Sequence, residues 1–330
     1  MTEAEPLLCV DAGTTNTRLW LVRGEQVVAR REVAVGARDT ARDGHNGRLK
    51  AALREALDAL LLERPADAPA PRVIAAAGMI TSPQGLLDLP HVSAPAGPRE
   101  IAAAAQQATV PEVSLLPFVF VPGVRTVERP GAAKGVVSAD VMRGEETLCL
   151  GLLRLGLLAP GAALLNLGSH WKLVGTDAGG RVAWSVTSLS GEMIEAVRTG
   201  TVLASALPEG PLVTLDRAAL AGGMEEGRRS GLPRALFAIR LFELSGRTTP
   251  AARLSFLAGA FIGTELDGLR ATGALAAGTP VAVAGGEKVG GAWALALEQS
   301  GHRVRSLSPD EVEAAFLTGL RTLVTLRPSR

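Results

Sequence analysis

The sequence predicts an α/β protein built from two similar lobes. Two observations carry that reading. Strand-like apolar runs alternate with amphipathic helical segments in both halves of the chain. One unit, a strand, a turn of glycine and polar residues, and a second strand, occurs near residues 7–23 and again near 162–175, as a weak internal duplication would leave it. A length of 330 residues also exceeds one small core.

The elements follow in order. A strand over 7–11 ends at Asp11, and the turn Ala12-Gly13-Thr14-Thr15-Asn16 leads into a strand over 17–23. QVVARREVAV alternates apolar and polar residues and predicts a strand over 26–35. After Asn46-Gly47, Leu49, Leu53, Leu57 and Leu60 recur at helical spacing and predict a helix over 48–63. PADAPAP reads as a loop and VIAAAG as a buried strand over 73–78, so this half is a mixed sheet with a helix on one face. A strand is expected over 117–124, a loop at ERPGAAKG, and a helix over 139–156.

The second half opens with a strand over 162–167, the turn Gly168-Ser169-His170, and the strands WKLVG and RVAWSVT. Helices are expected through 191–270, with Asp216 as the N-cap of one running to about 229. Gly259 and Gly263 mark close helix packing, since their surroundings are too short and charged for a membrane span. A strand over 281–285, Gly286-Glu287-Lys288, the helix WALALEQ, the strand RVRSL and a helix from Asp310 to about 325 finish the chain.

Composition narrows the function classes. Hydrophobic content of 47% with 20% charged residues describes a globular, ordered chain. A net charge of +1 gives no electrostatic case for nucleic acid or an anionic membrane as partner. The longest apolar stretch is interrupted by Arg154 and Pro160, and MTEAEP is not a signal peptide, so a cytoplasmic protein is expected. Cys9 and Cys149 lie far apart in apolar contexts and read as buried thiols.

The chemistry-bearing candidates are two turns and a glycine pair. GxxxxGK[ST], GxGxxG after a strand, HExxH and GxSxG are all missing, and the four histidines are scattered. Gly13, Thr14, Thr15 and Asn16 offer a close backbone approach and side-chain donors to an anion. Asp11 would repel a bare phosphate, so it makes sense as a Mg²⁺ anchor, through water, beside a nucleotide phosphate. A solvated hairpin with an Asx-turn is the plain alternative. Gly168, Ser169, His170 and Lys172 form the second turn, and two such turns facing a cleft would grip a triphosphate. Gly285 and Gly286, at a strand end before a helix, leave backbone bare for a flat adenine-ribose.

Together with these pieces, SADVMRGEETLCLG, NLGSHWKLV, SLSGEM and DAGTTNTRLW resemble the 2-dehydro-3-deoxygalactonokinases, sugar-acid kinases of the actin–hexokinase–Hsp70 ATPase superfamily. The resemblance covers nearly the whole chain, and VMRGEET is its most specific motif. It implies two ribonuclease-H-like lobes, about 1–128 and 129–330, with an interlobe nucleotide cleft. It implies transfer of the γ-phosphate of ATP to the C6 hydroxyl of 2-dehydro-3-deoxy-D-galactonate, with Mg²⁺. Ala12 stands where the family has Trp, and Ser169 where it has Thr.

The resemblance also suggests roles. Asp140 is the expected base, with an ordinary helix N-cap as the equal alternative. Glu145 is the rival base or a water-bridged Mg²⁺ ligand. Arg143, then Arg18, is expected to meet the substrate carboxylate, because a guanidinium fork suits it. Met79, Ser82 and Glu192 fall in the stretches assigned to the sugar, Glu192 also reading as a helix-start acid. Lys172 is expected at the transferring phosphate, and Lys288 near ribose or phosphate or simply in solvent. The partners implied are a sugar acid and a nucleotide, with a homodimer left open. The competing readings are a superfamily kinase for another sugar, a polyphosphate phosphatase, a non-catalytic ATPase switch and a sugar-responsive repressor.

Overall fold

A computed structural model describes residues 5–64, 69–131, 138–210 and 212–328. Strands β1 (Leu7–Ala12), β2 (Thr17–Arg23) and β3 (Gln26–Val33) form an antiparallel meander. Two helices follow, α1 (Ala37–Asp43) and α2 (Gly47–Leu62), and then β4 (Ile74–Gly78) lies parallel to β1. After β5 (Val92–Ser93) and α3 (Pro98–Ala104), strands β6 (Gln106–Val110) and β7 (Ser114–Phe120) complete a six-stranded sheet of order β3-β2-β1-β4-β7-β6.

β8 (Val124–Thr126) and β9 (Asp140–Met142) join β5 in a small three-stranded sheet, and α4 (Glu145–Arg154) follows. The second large sheet repeats the plan of the first. β10 (Ala163–Leu167), β11 (Trp171–Thr176) and β12 (Val182–Ser188) form a meander. Helices α5 (Ser190–Gly200), α6 (Arg217–Ser230), α7 (Leu232–Ser245) and α8 (Pro250–Ala271) precede β13 (Val281–Gly285), which is parallel to β10. Then come α9 (Glu287–Gln299), β14 (Val304–Ser306) and α10 (Pro309–Leu326), giving the order β12-β11-β10-β13-β14.

The period-2 alternation of β1 explains why it is central. Leu7 and Cys9 face one apolar core, and Leu8 and Val10 face another. The first core also holds Leu148, Leu152, Phe316 and Leu320, so α4 and α10 pack on the sheet. The second is closed by Leu53 and Leu57 of α2. α10 reaches back to the first sheet, where Trp20 Nε1 donates to Glu313 at 2.8 Å. A third core, with Leu257, Phe261 and Trp293, lies behind the second sheet. Cβ atoms at Gly259 and Gly263 would lie 2.1 and 2.7 Å from the carbonyl oxygens of Leu220 and Met224, so these glycines let α8 touch α6. Asp216 caps α6 by accepting from Ala219 N at 3.0 Å. Cys9 and Cys149 are free and buried, and burial pushes both thiols up to about 12.

Several expectations need correction. The helix expected over 139–156 starts only at Glu145, and 140–142 pair with β8 as a strand. Gly144, at φ +106°, breaks any helix attempting to pass through it. Asp140 is therefore a strand residue and not a helix cap. The strand expected over 117–124 splits into β7 and β8. Residues 65–68 of PADAPAP and 132–135 of ERPGAAKG lie outside the described residues. Among the described residues, no helix is long and apolar enough to cross a membrane.

Candidate active site

The site begins with two hairpin turns at equivalent places in the two sheets. In the first, Asp11 of β1 pairs in register with Arg18 of β2, and Gly13 N donates to Asn16 O at 2.8 Å. The carbonyls of Gly13 and Thr14 accept from Ala37 N at 3.1 Å and Arg38 N at 2.9 Å, so the turn rests on the start of α1. A Cβ at Gly36 would meet Thr14 O at 2.5 Å, which is why a glycine stands there. In the second turn, Gly168 N donates to His170 O at 3.3 Å, and Ser169 O accepts from Glu192 N of α5 at 2.8 Å.

The VMRGEET segment fills the space between them. A Cβ on Gly144 would sit 3.8 Å from Asp11 Oδ1, so Gly144 brings the α4 start against β1. Glu145 Oε1 pairs with Lys172 Nζ at 3.1 Å, and its Oε2 accepts from Arg143 N at 3.1 Å. Lys172 also donates to Val141 O at 2.9 Å, and its side chain is 7% exposed. Its ammonium is thus committed to the α4 entrance and does not stand open to a ligand. Asp140 Oδ2 accepts from Ser185 Oγ at 2.5 Å and Thr187 Oγ1 at 2.9 Å.

Electrostatics single out two acids. Burial raises Asp11 to about 6, opposed by Arg18 and reinforced by Glu145 and Glu32. The carboxylate still keeps a quarter of its surface open at the rim. A cation there would relieve both the burial and the repulsion from Glu145. Among the described residues no three His, Cys, Asp or Glu side chains gather as a metal cage, so such a cation would take few protein ligands. That fits Mg²⁺, which keeps waters and binds one or two carboxylates plus phosphate. Glu146, unremarked in the sequence, is fully buried; both oxygens accept from Gly144 N at 2.9 Å, and burial raises it to about 7. It fixes the turn that carries Glu145.

The arginines divide differently from expectation. Arg143 Nη1 donates to Thr81 Oγ1 at 2.9 Å and Nη2 to Leu89 O at 2.8 Å, with 8% of the side chain exposed. It anchors the 78–89 segment against α4. Within that segment Ser82 Oγ donates to Met79 O at 2.7 Å. His91, which sequence reasoning missed, also adjoins Arg143; its Nε2 has no partner among the described residues, and burial, then Arg143, lowers it to about 4. Arg18 lies between Asp11 at 4.0 Å and Glu32 at 3.6 Å.

Gly285 and Gly286 lie at the β13–α9 junction, where Gly285 pairs in register with Leu167 beside the second turn. Beside them is a cavity of about 450 Å³ whose lining includes Val213, Leu215, Lys288, Gly291 and Leu295. Lys288 is half-buried and pairs with Glu287 at 2.8 Å.

The family model for 2-keto-3-deoxy-galactonokinase matches residues 11–323, from the Asp11 turn through most of α10. The chain belongs to the 2-keto-3-deoxy-galactonokinase family. It is a sugar-acid kinase. A Sinorhizobium meliloti protein provisionally assigned as a 2-dehydro-3-deoxygalactonokinase has a similar structure, with 27% identity, 96% of each chain covered and a TM-score of 0.74. The activator of 2-hydroxyisocaproyl-CoA dehydratase from Clostridium difficile, solved with bound ADPNP, matches at 11% identity, covering 97% of this chain and 95% of its own, with a TM-score of 0.51. Component A of (R)-2-hydroxyglutaryl-CoA dehydratase from Acidaminococcus fermentans matches at 12% identity, covering 98% and 100%, also at 0.51. These two share the fold, two ribonuclease-H-like lobes of the actin-like ATPase type. No match was found among curated proteins.

Proposed function

We propose that this kinase transfers the γ-phosphate of ATP to the C6 hydroxyl of 2-dehydro-3-deoxy-D-galactonate, in the cytoplasm, with lobes dividing near residue 128. The supporting observation is convergence: Asp11, Glu145 and Lys172, from three separate motifs, meet where the two turns approach each other. Phosphoryl transfer depends mainly on such positioning and charge placement.

In this reading Gly13, Thr14, Thr15 and Asn16 hold phosphate from one side, and Gly168, Ser169 and His170 from the other. Asp11 holds Mg²⁺ through water, and the metal neutralises phosphate charge when bound. Lys172 orients Glu145 rather than touching phosphate. Asp140 takes the proton of the C6 hydroxyl. Among the described residues its Oδ1 accepts no side-chain hydrogen bond, whereas both oxygens of Glu145 are engaged. Ser185 and Thr187 would aim that carboxylate. Met79, Ser82 and Glu192 border the sugar, with Arg143 and Arg18 supporting its walls. Gly285, Gly286 and Lys288 flank adenosine beside the 450 Å³ cavity.

A coupled assay of ADP release over a panel of 2-keto-3-deoxy acids tests this. Release with the galactonate acid, and weaker release with the gluconate epimer, is expected. Equal ADP release with no acid present would point to an ATPase switch instead.

A further inference from the structure

Arg38 stands in no motif that the family resemblance used, yet it joins the two turns. Its backbone N–H donates to Thr14 O at 2.9 Å, which fixes it to the first turn. Its guanidinium Nη2 donates to Glu192 Oε1 at 2.8 Å. Glu192 in turn donates its own N–H to Ser169 O at 2.8 Å, which fixes it to the second turn. The Arg38–Glu192 pair therefore spans the gap between the turns. A group that enters this gap meets the pair directly.

Three other cations at the site are committed. Lys172 and Arg143 are buried on protein partners, and Arg18 lies between two carboxylates of its own sheet. Arg38 differs from these. Its counter-ion belongs to the opposite side of the gap, and its side chain, 54% exposed, is open where those of Lys172 and Arg143 are buried, though no more open than that of Arg18 at 53%. Exchanging Glu192 for another anion exposes no buried charge. A phosphate carries more charge than a carboxylate and accepts both arms of a guanidinium, so the exchange is favourable in direction. Glu192, once released, keeps His170 Nε2 at 3.6 Å as a neighbour.

We propose that Arg38 exchanges its Glu192 partner for the terminal phosphate of a bound nucleoside triphosphate, positioning the group to be transferred. This rests on the kinase reading above. Calorimetric titration of the full chain with Mg²⁺ and either ADP or the β,γ-imido analogue of ATP tests it without turnover. Wild-type protein should bind the triphosphate more tightly. Arg38→Ala should lose roughly tenfold or more of triphosphate affinity, about 1.4 kcal/mol per tenfold, and change ADP affinity by less than about twofold. Glu192→Gln breaks the same ion pair and should keep the triphosphate preference. Equal loss for both nucleotides in Arg38→Ala, no loss for either, or a Glu192→Gln variant that copies Arg38→Ala would overturn the proposal and leave a structural strap. A wild-type protein that discriminates no phosphate number would overturn it too. Wild-type protein that binds neither nucleotide would sink the kinase reading itself.

Discussion

The two hairpins, β1–β2 and β10–β11, occupy the same place in their sheets, and they differ in charge at the second paired position from the turn. In the first, Asp11 sits opposite Arg18. In the second, the equivalent pair is Asn166 opposite Lys172. The first turn thus keeps an acid and its cation together on one sheet. The second has a neutral partner, so its lysine is free to cross to Glu145 of the VMRGEET segment. The repeated unit differs in charge: on the proposed reading one copy holds a metal ion beside phosphate, while the other fixes Glu145. The turns differ in length as well, with four residues between paired positions 12 and 17 and three between 167 and 171.

That division can be broken deliberately. Asp11→Asn gives the first hairpin the chemistry of the second. On the proposed reading turnover should fall by about a hundredfold or more with the circular dichroism spectrum unchanged, because Mg²⁺ would lose its carboxylate. Asn166→Asp added to that variant should not restore it, since Lys172 and not a metal faces that position. Asp140→Asn tests the base apart from both hairpins, and a loss of roughly 10²–10⁴ in kcat is expected. Wild-type kcat in Asp11→Asn would remove the metal assignment, and in Asp140→Asn the base.

Lys172→Met sharpens the other half of the comparison. It leaves Glu145 without its cation in a partly buried place. We expect a drop in kcat of about tenfold, with a smaller change in nucleotide KM. A larger effect on ATP binding than on kcat would mean that Lys172 meets phosphate directly.

A separate effect, outside catalysis, concerns stability and pH. Glu146 is raised to about 7 in the folded protein from the ordinary carboxyl value of 4.5, chiefly by burial. A carboxyl raised by folding contributes stability below its unfolded pKa and loses that contribution as pH rises through its folded pKa. Unfolding midpoints of wild type and Glu146→Gln should therefore diverge between pH 5 and 8, with the variant gaining on wild type by on the order of 3 kcal/mol at the upper end. Parallel curves would show that Glu146 does not titrate with folding.

Much of this arrangement was legible in the sequence. The Asp11 turn, its echo at Gly168, the helix around Leu53 and the strand before Gly285 all carried periodicity or turn chemistry. α1 did not, because ARDTARD has no apolar stripe; it is held by Gly36 N donating to Asp39 Oδ2 at 3.0 Å and by its bonds to the first turn. β9 was hidden because Asp140 followed by Glu145 and Glu146 reads as a helix start, and only the conformation of Gly144 moves that start. Arg38, Glu146 and His91 were illegible as site residues for one reason: their partners come from distant segments, and burial of a charge is a tertiary fact.

The most direct test of the central claim is one reaction followed to its products. Wild-type protein, ATP, Mg²⁺ and 2-dehydro-3-deoxy-D-galactonate should give ADP and a sugar-acid phosphate in equal amounts, with phosphorus NMR coupling the new phosphate to the C6 protons. ADP without a phosphorylated acid, or a phosphate coupled to another carbon, would contradict the account.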